Sequence, residues 1–224
     1  MTEQSDYCES LVRDADKDRF LATLFAPAGH RADLFALYAF DLETVAISHR
    51  VREPLAGEMR FQWWHDALRG TTESGGHPVV EAMLAMLARH AIPLSIPLAL
   101  IDARRATLYA DENQSDAEFE LLASETAGAV YQMAAHVLSG PGEATRLAAH
   151  HAGVATLAAQ AGGPRTDEAR RHLDAVRALI AVLPEPALPA FLPLALAGED
   201  RVALAQWRKQ WILWRASKNL AAWL

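Results

Sequence analysis

The clearest indication of fold class in this chain is the segment ADLFALYAFDLETVAISHRV, residues 32–51. Within it, Phe35, Tyr38, Leu42 and Ala46 recur at intervals of three or four residues. Apolar residues at that spacing lie on one face of an α-helix, whereas a half-buried strand alternates apolar and polar residues. Helical spacing recurs through nearly the whole chain, and we find no convincing alternation. The sequence therefore predicts an all-α protein.

Turn-forming residues divide the chain into helices of ordinary length. Ser115 or Asp116 is placed to cap one of them, and four prolines within residues 183–193 predict a bent connector. No repeat or linker is visible, so we expect one domain, residues 1–224, with about nine to ten helices. The predicted helices are residues 5–25, 32–51, 55–68, 79–89, 93–109, 115–138 and 143–160, one that opens at Thr166 or Glu168, and residues 199–223.

Composition excludes several classes of protein. The 224 residues are 51% hydrophobic and 22% charged, which argues against disorder. A net charge of −7 disfavours binding to nucleic acid. A single cysteine, Cys8, cannot form an internal disulfide, the N-terminus lacks the pattern of a signal peptide, and no apolar run suffices for a transmembrane helix. We expect a cytoplasmic protein.

Several short motifs carry a resemblance to a known family. Residues 7–70 contain a Tyr-Cys start, the Tyr-Ala-Phe of residues 38–40 and MRFQWWHDAL at residues 59–68. The tail contains EARRHLDAVRAL at residues 168–179 and WRKQWILWRAS at residues 207–217. This layout resembles the squalene/phytoene synthase family. The resemblance implies an isoprenoid synthase bundle whose helices surround a deep apolar cavity, shortened here after residue 163.

Active members of that family join two prenyl diphosphates with the help of Mg²⁺, which is held by two clusters of aspartates. Hard oxygen ligands are what Mg²⁺ requires. The positions of the first cluster here read Val45, Ala46 and His49, and Leu42 replaces the usual arginine. The second cluster and several dozen residues around it are missing. The resemblance thus implies no catalytic residue, no metal site and no cofactor, with Mg²⁺ required only if activity persists.

Other residues are candidates for lining the cavity or binding a ligand. Glu43 has apolar neighbours, and two interpretations stay open: a structural hydrogen-bond partner, for instance of Arg60, or a remnant of the cavity. Trp63 and Trp64 are adjacent, so at most one faces the core squarely. The candidates, taken from the resemblance and these patterns, are Tyr38, Phe40, Glu43, Arg60, Trp63 and Tyr131.

The final segment is unusual in its tryptophans. Trp207, Trp211 and Trp214 fall at positions i, i+4 and i+7 and so share one helix face. One interpretation is a core stripe, because aromatic side chains bury large areas. The other is an exposed face, flanked by basic residues, that rests on a protein partner or on a membrane surface such as the inner membrane.

Histidines offer little sign of a metal site. His150 and His151 are adjacent on a predicted helix, so their side chains should diverge by about 100° and form no chelate. No His-Glu-x-x-His motif is present. We therefore predict that the chain has no zinc site.

Three functions remain open from sequence. The first is a non-catalytic family member that binds an isoprenoid or lipid, such as a quinone tail, or a protein partner. One branch of the family includes a mitochondrial factor needed for assembly of respiratory complex I, and it resembles this chain around Glu43 and residues 59–64. The second is an active Mg²⁺-dependent prenyl-diphosphate synthase. The third is a non-catalytic subunit that pairs with such an enzyme.

Overall fold

The computed structural model describes residues 3–51, 53–73, 75–109, 114–197 and 204–224. These residues form α-helices, short 3₁₀ turns and one π-helical turn, with no strand among them, which confirms the all-α prediction. The helices are α1 (Glu3–Ala15), α2 (Lys17–Thr23), α3 (Ala28–Arg50), α4 (Pro54–Arg69), α5 (Pro78–Arg89), α6 (Ser95–Ala106), α7 (Asp116–Ala123), α8 (Ala129–Ser139), α9 (Glu143–Ala161), α10 (Thr166–Leu179), α11 (Leu188–Phe191) and α12 (Gln206–Ala216).

Helix α3 lies at the centre of the bundle. It packs against α1, α2, α4, α5, α6 and α8. Every residue from Asp33 to Asp41 is buried, so this part of the helix is enclosed on all sides. A helix that is apolar all round is normally an interior helix, and residues 34–40 meet that description. The segment that indicated the fold class is therefore also the core of the fold.

Two predicted helices are each divided in the structure. Residues 5–25 form α1 and α2, because the Asp16 side chain accepts a hydrogen bond from Arg19 N at 2.9 Å and caps a new helix. The helix predicted over residues 115–138 begins at its Ser115 cap as expected, then widens into a π-helical turn at Ser124–Gly128 between α7 and α8.

The C-terminal region differs from the prediction in length. The predicted connector at residues 183–193 is confirmed as 3₁₀ turns flanking the short α11. The last helix covers only Gln206–Ala216 of the predicted residues 199–223, and Asn219 caps a 3₁₀ turn beyond it. Residues 198–203 lie outside the described residues. None of the helices described here has the length and apolarity that a membrane crossing requires.

Helix α9 packs unusually closely on the π-helical turn. A Cβ atom placed on Gly153 would lie 2.3 Å from the nitrogen of Gly128 and 2.8 Å from the carbonyl oxygen of Ala123. Both neighbours are backbone atoms, which cannot rotate away. Gly153 therefore sets the distance between α9 and the turn that joins α7 to α8.

We expect Gly153→Ala to lower the free energy of unfolding by about 3 kcal/mol, because overpacking against backbone forces a shift of the whole contact. Urea unfolding followed by circular dichroism measures this change. Gly29→Ala is the matched control: its Cβ would meet nothing within 4 Å, so stability should hold or rise by up to about 1 kcal/mol. Equal stability of the two variants would contradict the close packing at Gly153.

Candidate functional site

A buried network of charges lies where α2, α3 and α6 meet. Asp41 is 4% exposed, and its carboxylate accepts hydrogen bonds from the guanidinium groups of Arg19 and Arg104. Arg104 also donates to the hydroxyl of Thr44 and, at 3.2 Å, to the carbonyl oxygen of Asp41. Each carboxylate oxygen of Asp41 therefore has a guanidinium partner.

The two arginines determine the charge of Asp41. Burial by itself would raise the pKa of Asp41, but the positive charges of Arg104 and then Arg19 outweigh it and lower that pKa to about 2. Burial likewise opposes the charged form of Arg19, yet Asp41 and Asp16 raise its pKa above the ordinary value. At neutral pH the network consists of one carboxylate between two cations, all of them ionised.

The surroundings of Asp41 do not fit Mg²⁺. The positions on α3 at which the family resemblance calls for aspartates are Val45 and Ala46, which are half-buried, and His49, which is exposed. Asp41 lies one turn earlier, with both oxygens held by Arg19 and Arg104. Hard oxygen donors that are not already paired are what a magnesium site needs. No catalytic step through this ion follows from these residues.

The aromatic cavity candidates are packed into the interior. Tyr38, Phe40 and Tyr131 are at most 6% exposed. The Arg19 guanidinium lies 5.2 Å from the centre of the Tyr38 ring, and Tyr131 stacks on Phe191 with ring centres 5.9 Å apart. Tyr38 and Tyr131 thus pack among α2, α3 and α8, whereas Phe40 packs against Trp64 of α4.

One edge of this region opens to solvent. Arg19 and Tyr131 line a cleft of about 200 Å³, and the Tyr131 hydroxyl there contacts Thr156 Oγ1 at 3.0 Å. A space of this volume is below the usual range for pockets that enclose a drug-sized ligand, about 300–1,000 Å³. The opening therefore leads to packed side chains.

Glu43 has partners other than the one expected. Its Oε2 lies 3.3 Å from His77 Nε2, and the Tyr7 hydroxyl is a second hydrogen-bond partner. Arg60, named as an example of such a partner, is exposed on α4 and is not among the partners that the described residues give Glu43. The loop that precedes α5 brings His77 over Glu43, and burial raises the pKa of this carboxyl although His77 and Arg50 oppose the shift.

The two adjacent tryptophans of α4 divide as predicted. Trp64 is 4% exposed and packs edge-on against Phe40 at 5.5 Å, whereas Trp63 is half-buried. Both rings contact His77, at 5.4 Å for Trp63 and 5.3 Å for Trp64. Trp63 also borders a surface cleft of about 490 Å³. One tryptophan therefore belongs to the core and the other to its rim.

The tryptophans of α12 face outward. Trp207, Trp211 and Trp214 are 64%, 47% and 52% exposed, so the core-stripe interpretation is wrong. The buried face of α12 consists instead of Ile212, Leu213 and Ala216, which lie on the opposite side of the helix from the tryptophans. We call the three exposed tryptophans the Trp face.

Basic residues accompany the Trp face. The guanidinium of Arg208 lies 5.2 Å from the Trp207 ring centre, and that of Arg215 lies 4.9 Å from the Trp211 ring centre. Lys209 forms a salt bridge of 2.7 Å with Asp18, which ties α12 to α2. The Trp face is thus an exposed aromatic and basic surface on a helix anchored by its other side.

The predicted divergence of the adjacent histidine side chains is wrong. The rings of His150 and His151 lie 5.0 Å apart, and both approach His172 of α10. His151 Nδ1 is 3.0 Å from His172 Nδ1. The Cβ atoms of neighbouring residues diverge on a helix, but the longer side chains bend back toward α10, which packs along α9. We call His150, His151 and His172 the histidine cluster.

Sequence reasoning missed the residues of the buried charge network. Asp41 is the one acidic residue within the apolar run from Leu34 to Leu42, and a charge in such a position needs a buried partner. That signal was available. Nothing in the sequence identified Arg19 and Arg104, which lie 22 and 63 residues away from Asp41.

Comparison with known proteins shows which family and which curated proteins the sequence resembles. The sequence model of the squalene/phytoene synthase family matches residues 12–160. The chain is 29% identical over 151 residues to "NADH dehydrogenase (ubiquinone) complex I, assembly factor 6" of Rattus norvegicus, and 27% identical over 134 residues to that of Homo sapiens. The matches cover 66% and 59% of this chain but 45% and 40% of those relatives. The chain thus spans less than half the length of the curated relatives it matches.

A dehydrosqualene synthase of known structure has the same fold. It superposes with a TM-score of 0.75 at 12% sequence identity, over 98% of this chain and 97% of that chain. Sequence identity this low supports a conclusion about the fold only. The predicted helical bundle of the isoprenoid synthase type is confirmed.

We expect Asp41→Asn to lower the free energy of unfolding by about 3 kcal/mol, because it leaves the buried guanidinium of Arg104 without its counter-charge and removes one of the two carboxylates paired with Arg19. Asp102→Asn is the control, since Asp102 pairs with Arg105 on the same α6 but is 48% exposed. It should change stability by less than about 1 kcal/mol. Urea unfolding at pH 7 compares the two.

The same substitution tests the charge of Asp41 through pH. A carboxyl whose pKa is lowered on folding stabilises the fold above its unfolded value, here 3.8, and loses that contribution as pH falls toward 2. The stability difference between wild type and Asp41→Asn should therefore stay constant above about pH 5 and shrink between about pH 4 and pH 2. A difference that is independent of pH across this range would contradict an ionised Asp41.

Proposed function

Since the chain belongs to the squalene/phytoene synthase family, we propose that it is a non-catalytic member that binds a protein partner during assembly of a respiratory NADH dehydrogenase. The observation that carries this proposal is the buried network in which Asp41 is neutralised by Arg19 and Arg104. The carboxylate of the central helix stabilises the fold there and has no oxygen to offer a metal ion.

The chemistry of the family supports a loss of activity. Diphosphate ionisation relies on Mg²⁺ to neutralise the leaving group. Val45, Ala46 and His49 supply no carboxylate, and the interior is occupied by Tyr38 and Tyr131. Prenyl chains need an apolar cavity, so packed aromatic side chains at the centre favour a protein partner over an isoprenoid ligand.

The curated relatives support the kind of process. Those of rat and human are named for assembly of complex I, and the matches cover up to two thirds of this chain. More than half of each relative lies outside the matched segment. We therefore carry over to this chain only the process, which is assembly of the dehydrogenase, and the mode of action, which is binding without turnover.

The Trp face is the surface that best suits a protein partner. Exposed tryptophans flanked by arginines have the composition of interface hot spots, because each buries a large area with few rotatable bonds. Trp207, Trp211 and Trp214 are held in place by the buried side of α12 and by the Lys209–Asp18 salt bridge. The surface is therefore preorganised.

The proposal is tested in cells from which the gene has been removed. We expect NADH dehydrogenase activity and the amount of assembled complex, measured on native gels, to fall at least severalfold and to be restored by the wild-type chain. A variant with Trp207→Ser, Trp211→Ser and Trp214→Ser should restore neither. Leu121→Ser, at a position that is 58% exposed on α7, is the matched control and should restore both.

The outcomes separate the parts of the proposal. Normal assembly in the deletion strain would overturn the role in assembly. Full restoration by the triple variant would show that another surface binds the partner. Copurification of the chain with an active prenyl-diphosphate synthase, in place of assembly intermediates, would favour a subunit of such an enzyme.

A direct assay tests the absence of activity. Purified protein is incubated with farnesyl or geranylgeranyl diphosphate and Mg²⁺, and released diphosphate is measured. We expect no release above that of Glu43→Ala, because the residues around Asp41 do not fit the ion. Turnover by the wild type above this control would overturn the non-catalytic assignment.

A further inference from the structure

The histidine cluster joins the two helices α9 and α10. His150 and His151 project from α9 and His172 from α10, and all three are half-buried. One ring nitrogen from each residue can be chosen so that all three lie within 4.8 Å of one another. From this geometry we propose that His150, His151 and His172 bind one zinc ion, a site that goes beyond the proposed role in assembly.

The distance within the closest pair fits a shared metal. His151 Nδ1 and His172 Nδ1 are 3.0 Å apart. Two imidazole nitrogens bound to zinc at about 2.0–2.1 Å lie about 3.4 Å apart when the angle between them is tetrahedral. A shift of a few tenths of an ångström in rotatable side chains therefore converts the observed contact into a bidentate pair.

Both ring nitrogens of the third histidine, His150, have a hydrogen-bond partner, so the nitrogen that does not bind the metal keeps one. His150 Nε2 lies 3.1 Å from a carboxylate oxygen of Glu120, and His150 Nδ1 lies 3.0 Å from the hydroxyl of Ser124. Histidines that bind metals commonly donate their second N–H to a carboxylate or another oxygen, which fixes the tautomer and the ring orientation. With Nδ1 of His150 as the metal ligand, Nε2–H donates to Glu120, which then acts as a positioning residue for His150.

The charge state of the cluster favours a cation. Glu120 and Glu168 add negative charge near His172, and Arg171 opposes them. Glu168 forms a salt bridge of 2.7 Å with Arg165, so the carboxylate that attracts an incoming cation is Glu120, which contacts His150.

The choice of zinc follows from the ligand type. Imidazole nitrogens suit Zn²⁺, Cu²⁺ and Ni²⁺, whereas Mg²⁺ and Ca²⁺ require oxygen ligands. Three histidines leave one position of a tetrahedral zinc for water. A second group, His30, Asp33 and His90, is a weaker candidate because the Asp33 carboxylate is already paired with Arg89.

The site is tested by titrating the untagged full-length chain with ZnCl₂ in a calorimeter at pH 7.5. We expect one zinc ion per chain. His151→Gln and His172→Gln should each weaken the affinity at least 100-fold, because each removes one of three ligands. Glu120→Gln should weaken it about 10-fold, as loss of an outer partner does. His49→Gln, at an exposed position on α3, and His90→Gln are the controls and should bind like wild type.

Two further measurements keep the result independent of how well the variants fold. Zinc should raise the Tm of the wild type, because it links α9 to α10 in the folded state only, and should leave the Tm of His172→Gln unchanged. In ¹⁵N-labelled wild-type protein, zinc should shift the imidazole signals of His150, His151 and His172 and leave that of His49 in place.

The proposal is overturned if less than half an equivalent of zinc binds, or if His151→Gln and His172→Gln bind as tightly as the wild type. Loss of binding in His90→Gln with retention in His172→Gln would assign the ion to the second group. In each of these cases His150, His151 and His172 would be a packing cluster between α9 and α10. These results are separable from the proposed function, since they concern neither the Trp face nor assembly of the dehydrogenase.

Discussion

The interaction on which the architecture depends is the ion pairing of Asp41 with Arg19 and Arg104. Moving a charged group out of water costs several kcal/mol, and an interior carboxylate persists only where its partners satisfy it completely. Here one carboxylate holds guanidinium groups from α2 and α6 against the central helix α3. Because all three helices must be in place for the charges to be paired, the network specifies how the bundle is assembled.

That arrangement changes what the family fold can do. A carboxylate on α3 serves the packing of three helices, while the side chains that remain accessible lie elsewhere: the Trp face on α12 and the histidine cluster between α9 and α10. Both surfaces belong to helices that the central bundle positions rigidly. A surface that binds a protein partner, as proposed for the Trp face, gains affinity from being preorganised, because ordering a flexible surface on binding would weaken the complex.

Residue patterns predicted the elements much better than the contacts between them. Most helix bounds agree within a few residues, because the spacing of apolar residues and the Gly and Pro stops are local. Differences arose where a side chain met a partner distant in sequence. Glu43 binds His77 in place of Arg60, His150 and His151 converge because α10 supplies His172, and the Trp face points to solvent because Ile212 and Leu213 take the buried side.

By itself the amino-acid sequence determined the fold class and the family, since both are matters of residue identity and local periodicity. Only the tertiary structure decided which charges neutralise one another, which tryptophans are exposed and which histidines meet. The reason is physical: a side chain's pKa, exposure and partners depend on the helices packed around it. Those neighbours come from positions tens of residues away that no local pattern specifies.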